Sequence, residues 1–366
     1  MRRELHEADV QAACVGGGVF AAGGGGWLAH GLQNGGVAVK LGRPYLVAID
    51  DVPADGIIVT VSAIGAPAAP TWQMFPRDYI RAFELLQAQL DAPVVGVMTA
   101  QNGYSTTING WLQSAMFGIP VIDAAGDVRA HPTIRMGSIG LTEQPDYETI
   151  QVAVGGNRDL DAYMEVIVRG SIMKTSAVMR AASVASGGFI AAARNPVAAR
   201  YVRENAALGA VSLAMELGQA MLAAEPQGGQ AVLDTVVSTL DGEILGMGII
   251  TEVQLETRGG FDHARFTVDV GAACEPLVIY ILNEHMAVEA GGKRLSSYPD
   301  LISILLQETG HALAVEHTRV GQAVAVLKVD YHKLPLARSA SDPVAYREVA
   351  ELMGIALELP ADLARP

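Results

Sequence analysis

Ile57-Ile58-Val59-Thr60-Val61-Ser62-Ala63-Ile64 is an apolar, mostly β-branched run bounded by Pro53 and Gly65. That is the signature of a buried strand. Working outward, a helix is expected over residues 76–90, where Pro76 suits a first turn. A second buried strand is expected over 93–98, a helix over 106–117, and a third strand over 118–123 that ends in Asp123. Strand, helix, strand, helix, strand is the alternation of an α/β domain with a mostly parallel sheet. In such sheets ligands sit beyond the carboxyl ends of the strands. Residues 99–106 and 123–133 are therefore expected to border a site.

Upstream, a short helix is expected over 4–15, followed by a stretch from Gly16 to Gly26 with seven glycines. Each glycine costs about 1 kcal/mol relative to alanine in a helix, so this stretch is expected as strand and loop. Gly23 to Gly26 has two readings. The bare amides of Gly24, Gly25 and Gly26 form a nest for a ligand's oxygens, or the run is a tight turn with close packing. No Gly-Lys-Ser/Thr follows and no clean dinucleotide fingerprint exists, so no nucleotide is expected. Downstream, a helix is expected over 195–222, with Asn195 as N-cap and Pro196 in its first turn. From Val232 the pattern turns to strands over 242–256, 264–270, 277–282 and 322–329, closing with a helix over 343–359. The expected organisation is an α/β domain over 1–165, then a helical connection and a β-rich α+β domain over 166–366.

Half of the 366 residues are hydrophobic and only 17% are charged, which excludes a disordered chain. The formal charge of −14 offers neither nucleic acid nor an anionic membrane an attractive surface. The glycines between Val10 and Leu28 argue against a membrane helix there, and acids follow the basic start too closely for an export signal. Cys14 and Cys274 lie far apart, which fits a reducing cytoplasm, with Cys14 read as a buried apolar residue. A mean hydropathy of +0.28 points to broad contacts between copies, so a homo-oligomer is expected.

The most informative polar stretch is Asp123-Ala124-Ala125-Gly126-Asp127-Val128-Arg129-Ala130-His131-Pro132. An arginine such as Arg129 can clamp a carboxylate or imide, and His131 can move a proton near neutral pH. A polar loop whose charges satisfy one another is the equal alternative. Gln101 and Asn102 supply amides after the preceding strand, and Asn283 and Glu284 follow a strand of the second half. Glu284 is the harder to dismiss, because a half-buried acid needs a partner. Asp300 also reads as a cap for the turn that follows it. The eight histidines have no metal-ligand spacing.

Taken in order, Gly23–Gly26, Gly65-Ala66-Pro67, Gly118-Ile119-Pro120-Val121-Ile122-Asp123, Arg129-Ala130-His131-Pro132, Asn283-Glu284 and Pro299-Asp300-Leu301-Ile302 resemble the S-methyl thiohydantoin desulfurase family over residues 5–330. The departures fall on acids: Trp27-Leu28 stands for Asp-Pro, Gln101 for a glutamate, Ala125 for an aspartate and Thr133 for a glutamate. What the resemblance implies is hydrolysis of a small imidazolone or thiohydantoin-type ring, C–S or C–N. Asp123 or His131 would be the base, Arg129 and the glycine amides would hold ring oxygens, and Asn283 and Glu284 would orient ring nitrogens. Gln101, Asn102 and Asp300 would complete the binding set. Zinc is the cofactor to be weighed. The rival implication is a catalytically silent partner of a hydantoinase-type enzyme, which has lost acids it no longer uses.

Overall fold

The computed structural model describes residues 2–66 and 68–365, so Pro67 of the Gly65-Ala66-Pro67 segment lies outside the described residues. The expected strands of the first half are present as Ile57–Gly65, Val94–Gln101 and Val121–Asp127. They pair in parallel, with Tyr45–Val47 added beside Val121–Asp127. Antiparallel strands extend this parallel core: Phe189–Ala198 pairs with Ile57–Gly65, and Thr149–Gly155 and Met164–Gly170 lie beyond it. The N-terminal domain is thus α/β. Its sheet takes in strands on both sides of residue 165, and that position itself falls inside Met164–Gly170.

The second sheet has seven strands, all paired antiparallel. The expected strands at 242–256, 264–270, 277–282 and 322–329 all appear in it. Glu284–Ala290, Lys293–Ser297 and Leu301–Leu306 join them. One apolar cluster runs from Val19, Phe20 and Ala124 of the first domain to Leu301, Leu305 and Leu327 of the second. The two sheets therefore share a continuous core, and the cleft between them is framed by a fixed wall.

Two local expectations are corrected. Gly16-Gly17-Gly18 is helical, inside Glu7–Phe20, because this helix packs backbone to backbone on Ala210–Ala224. A Cβ on Gly16 would strike the Ala214 carbonyl, and one on Gly218 would strike the Ala12 carbonyl. The close approach outweighs the propensity loss. The helix expected over 195–222 is instead the end of a strand, then Ala199–Asn205 and Ala210–Ala224. Asn195 has φ +55° and accepts from the Thr149 hydroxyl at 2.8 Å, so it marks an irregularity in a strand and caps no helix.

Candidate functional site

Between the carboxyl ends of the parallel strands and the second sheet lies a cavity of about 60 Å³. That is room for about four to six waters, or one five-membered ring. Ser62 and Ile64 reach it from Ile57–Gly65, Gln101 from Val94–Gln101, and His131 and Thr133 from the segment after Val121–Asp127. Arg194 sits directly opposite Thr60, two residues from Ser62. Cross-strand partners share a face, and so do residues two apart, so Arg194 and Ser62 point the same way. Arg180 enters from the helix Ile172–Ala185, and Asn283 and Glu284 come from the second sheet.

Polar atoms without partners concentrate here. Ser62 Oγ, Thr106 Oγ1, His131 Nδ1, Thr133 Oγ1, Arg194 Nε and Glu284 Oε2 are buried without a hydrogen bond, and all six residues line this cavity. A buried polar atom left unpaired costs about 1–3 kcal/mol. Six such atoms on the residues around one void are a concentration that calls for an explanation. Gly25 and Gly26, with φ of +69° and +77°, also line it. Their N–H groups find no partner among the described residues. The loop holding them is clamped on both sides. His285 N donates to Ala22 O at 2.6 Å and Val315 N to Gly23 O at 2.9 Å, while Ser105 N donates to Gly25 O at 3.0 Å.

The electrostatics favour an anion. Among the described residues neither Arg180 nor Arg194 has a carboxylate within ion-pair distance. Arg180 donates to the carbonyls of Gly65, Gly260 and Pro132 and lies 4.3 Å from the centre of the Phe261 ring. Burial pushes both guanidiniums down to about 10, and Arg180 adds to the effect on Arg194. Both remain charged at neutral pH. Burial raises Glu284 well above the usual carboxylate value, against the pull of Arg129 and Arg180. Burial and Arg194 push His131 down to about 3, so its imidazole is neutral. Two guanidiniums thus line the void, and Glu284 is the one acidic residue among its lining residues.

Of the residues expected from sequence, the structure brings His131, Glu284, Gly25, Gly26, Gln101 and Asn283 to this cavity. Gln101 Oε1 accepts from His131 N at 3.2 Å. Asn283, at φ +57°, exchanges hydrogen bonds with Asp262 at 2.8 Å in both directions and so fixes the kink that presents Glu284. Gly24 lies behind: a Cβ there would strike Glu284 Oε1, and its N–H is spent on Ala21 O.

Four expected residues are elsewhere. Asp123 accepts from Val211 N, Ser212 N and Ser212 Oγ at 3.1, 3.0 and 2.6 Å, so it caps the helix Ala210–Ala224. Arg129 is fully buried and donates to the carbonyls of Ala130, His285 and Asp300, tying the two domains together. Asn102 donates to Val128 O and Ala210 O inside the core. Asp300 accepts from Ser296 Oγ and Tyr331 N. Sequence reasoning missed Arg180 and Arg194. The signal was there: each is a lone cation in an alanine-rich apolar segment, Val178-Met179-Arg180-Ala181-Ala182 and Ala191-Ala192-Ala193-Arg194. Cys14 is buried and its thiol is pushed up to about 12, as an inert residue requires.

Zinc does not fit this donor set. Among the described residues no group of three or more His, Cys, Asp and Glu side chains is placed to hold a metal ion. No helix among them is long and apolar enough to cross a membrane.

Fold and site define a two-domain protein with a small pocket between its sheets that is lined by two arginines. Sequence models of the S-Me-THD-like N-terminal domain and C-terminal domain match residues 8–162 and 171–340, and the chain belongs to this S-methyl thiohydantoin desulfurase-like family. A crystal structure of a protein from Chromobacterium violaceum is similar over 96% of each chain, with a TM-score of 0.73 and 20% identity, a likeness of fold. No curated protein matches the chain.

Proposed function

We propose that the cavity binds a five-membered imidazolone or thiohydantoin-type ring and hydrolyses it at the carbon that bears sulfur. The observation that carries this reading is the set of six unpartnered polar atoms around a ring-sized void, with two unneutralised arginines beside them. Water adds its oxygen to the ring carbon. His131 accepts a proton, and Glu284 gives one to the ring nitrogen. The C–S bond then breaks, the thiolate leaves and takes up the proton held by His131, and the ring carbon becomes a carbonyl. Glu284 is reprotonated as the tetrahedral adduct collapses and gives up its hydroxyl proton. Negative charge that develops on the adduct's oxygen is met by Arg194, Arg180 and the amides of Gly25 and Gly26.

A panel of S-methyl thiohydantoins, hydantoins and cyclic imides tests this, read by thiol release and by ring absorbance. Thiol release from an S-methyl thiohydantoin that is lost in Glu284→Gln is the expected result. Thiol release unchanged in both Glu284→Gln and His131→Gln refutes it. A binding-only role is favoured by one observation. Gln101 and Thr133, which stand where the resembled family carries glutamates, both line the cavity. Tight ring binding with no turnover of any member of the panel would select that role.

A further inference from the structure

On the far side of Gly26 runs a second and larger depression, an open groove of about 830 Å³ between the start of the helix Leu28–Leu41 and the segment 306–317. Gly26 lines both this groove and the small cavity. The two also meet through side chains: Phe189 of the cavity packs edge-on against Trp27 of the groove, ring centres 5.0 Å apart. One groove wall is aromatic. Trp27 and Trp72 stack with centres 3.9 Å apart and planes within 17° of parallel, and the His30 ring meets both at its edge. His30 is occupied by Tyr79 and Asn34, and burial pushes it down to about 4, so it is neutral.

The opposite wall carries Glu316. Both of its carboxylate oxygens are buried without a hydrogen bond, and the nearest ionisable contact is His317 Nδ1 at 4.0 Å. His317 is itself 68% exposed, and burial pushes the Glu316 carboxyl up to about 7, so a cation in the groove would favour its ionised form. The other imidazole on this wall, His311, is paired with Glu225 at 2.7 Å. Arg319 donates instead to the carbonyls of Glu316 and Thr318. A carboxylate with idle oxygens beside stacked indoles suits a cation, because aromatic faces and a carboxylate both attract positive charge.

We propose that this groove is a binding site for an alkyl or arylalkyl amine in its protonated form and, resting on the ring-hydrolase reading, that this amine is carried as a substituent by the ring in the adjoining cavity. The indole pair gives the substituent a flat apolar bed, Glu316 accepts its N–H donors, and Gly26 borders both spaces.

Two sets of probes test it. Tryptamine and indole-3-propionate share a ring and differ in charge. Tryptophan fluorescence and calorimetry should show tryptamine binding at least about tenfold more tightly, the discrimination vanishing in Glu316→Gln and both ligands weakening in Trp72→Ala. Next, 5-(4-aminomethylbenzyl)hydantoin should bind more tightly than 5-benzylhydantoin, and Glu316→Gln should level the two. Equal binding of amine and acid, or discrimination that survives Glu316→Gln, overturns the proposal. So does fluorescence that changes with protein concentration together with a smaller assembly in Trp72→Ala, since a second copy then covers the groove. If the ring reading alone fails, tryptamine still binds through Glu316 while Arg194→Met leaves every hydantoin unaffected. If the groove alone fails, Arg194→Met weakens all hydantoins and the amine adds nothing.

Discussion

Arg194→Met separates what the cavity costs the fold from what it does for a ligand. Methionine keeps an unbranched stem in the strand Phe189–Ala198 and removes the guanidinium. In the empty protein that guanidinium is buried, has no acid partner, faces Arg180, and is pushed down to about 10. Holding it charged at neutral pH then costs about 3 kcal/mol relative to water. The variant should therefore be more stable than the wild type when empty. A chain of 366 residues unfolds with an entropy of about 0.8 kcal/mol per degree, so Tm should rise by about 4 °C. Ligand binding should move the other way. Losing a buried charge-assisted contact to an anionic ring or to a ring oxygen costs about 2–5 kcal/mol, which is a Kd weaker by about 30-fold or more. Differential scanning calorimetry with and without a hydantoin reads both effects from one variant. A lower Tm in the empty variant, with hydantoin affinity unchanged, would show that Arg194 is a structural residue and would sink the assignment.

Glu284→Gln should abolish turnover and stabilise the empty chain at pH 8. A carboxyl with a raised folded pKa costs stability above its unfolded value of 4.5, so the variant's gain should fade as pH falls through 4.5, as urea unfolding at several pH values will show. His131 has the opposite sign. Its folded pKa of about 3 lies below the ordinary 6.5, so stability is lost as pH falls from 6.5 toward 3. His131→Gln should therefore gain on the wild type by about 2 kcal/mol between pH 7 and pH 5. Asp123→Asn should weaken the cap of the helix Ala210–Ala224 by about 1 kcal/mol in denaturant titrations and leave hydantoin affinity unchanged. Arg129→Met should lower stability by about 3–5 kcal/mol, because it strands the carbonyls of His285 and Asp300 and the carboxyl of Asp127 at the domain junction.

The strands Ile57–Gly65, Val94–Gln101 and Val121–Asp127 were legible because both of their faces are buried, which leaves short apolar runs between turn residues. Phe189–Ala198 was not. Its alanines carry no clear boundary of any element, and it belongs to the first sheet only because Ile57–Gly65 and Thr149–Gly155 offer it a slot, a long-range fact that local propensity does not carry. Gly16 to Gly18 misled for the same reason. Gly16 packs on Ala214 and Gly218, two hundred residues away in sequence, while Gly17 and Gly18 pack on Gly103, Thr107 and Tyr104, contacts that leave no room for a side chain. At the site, sequence position identified the rim but not the direction of each side chain. Asp123 and His131 leave neighbouring stretches of chain, yet one turns to a helix end and the other into the void.

Arg129 and Arg194 show what divides a buried charge that the chain itself satisfies from one that it does not. Arg129 and Arg194 are both buried arginines near the domain junction, and sequence context favoured Arg129 because acids surround it. Those acids are the reason it is spent. Asp127 lies beside it, and its guanidinium donors end on the carbonyls of Ala130, His285 and Asp300. Arg194 sits among alanines, whose side chains can neither neutralise it nor hydrogen-bond to it. A buried cation in such company is destabilising unless something else supplies the missing charge. On this reasoning the partner is the ligand. A ring that gains negative charge during hydrolysis would be met most strongly at the moment that charge is largest.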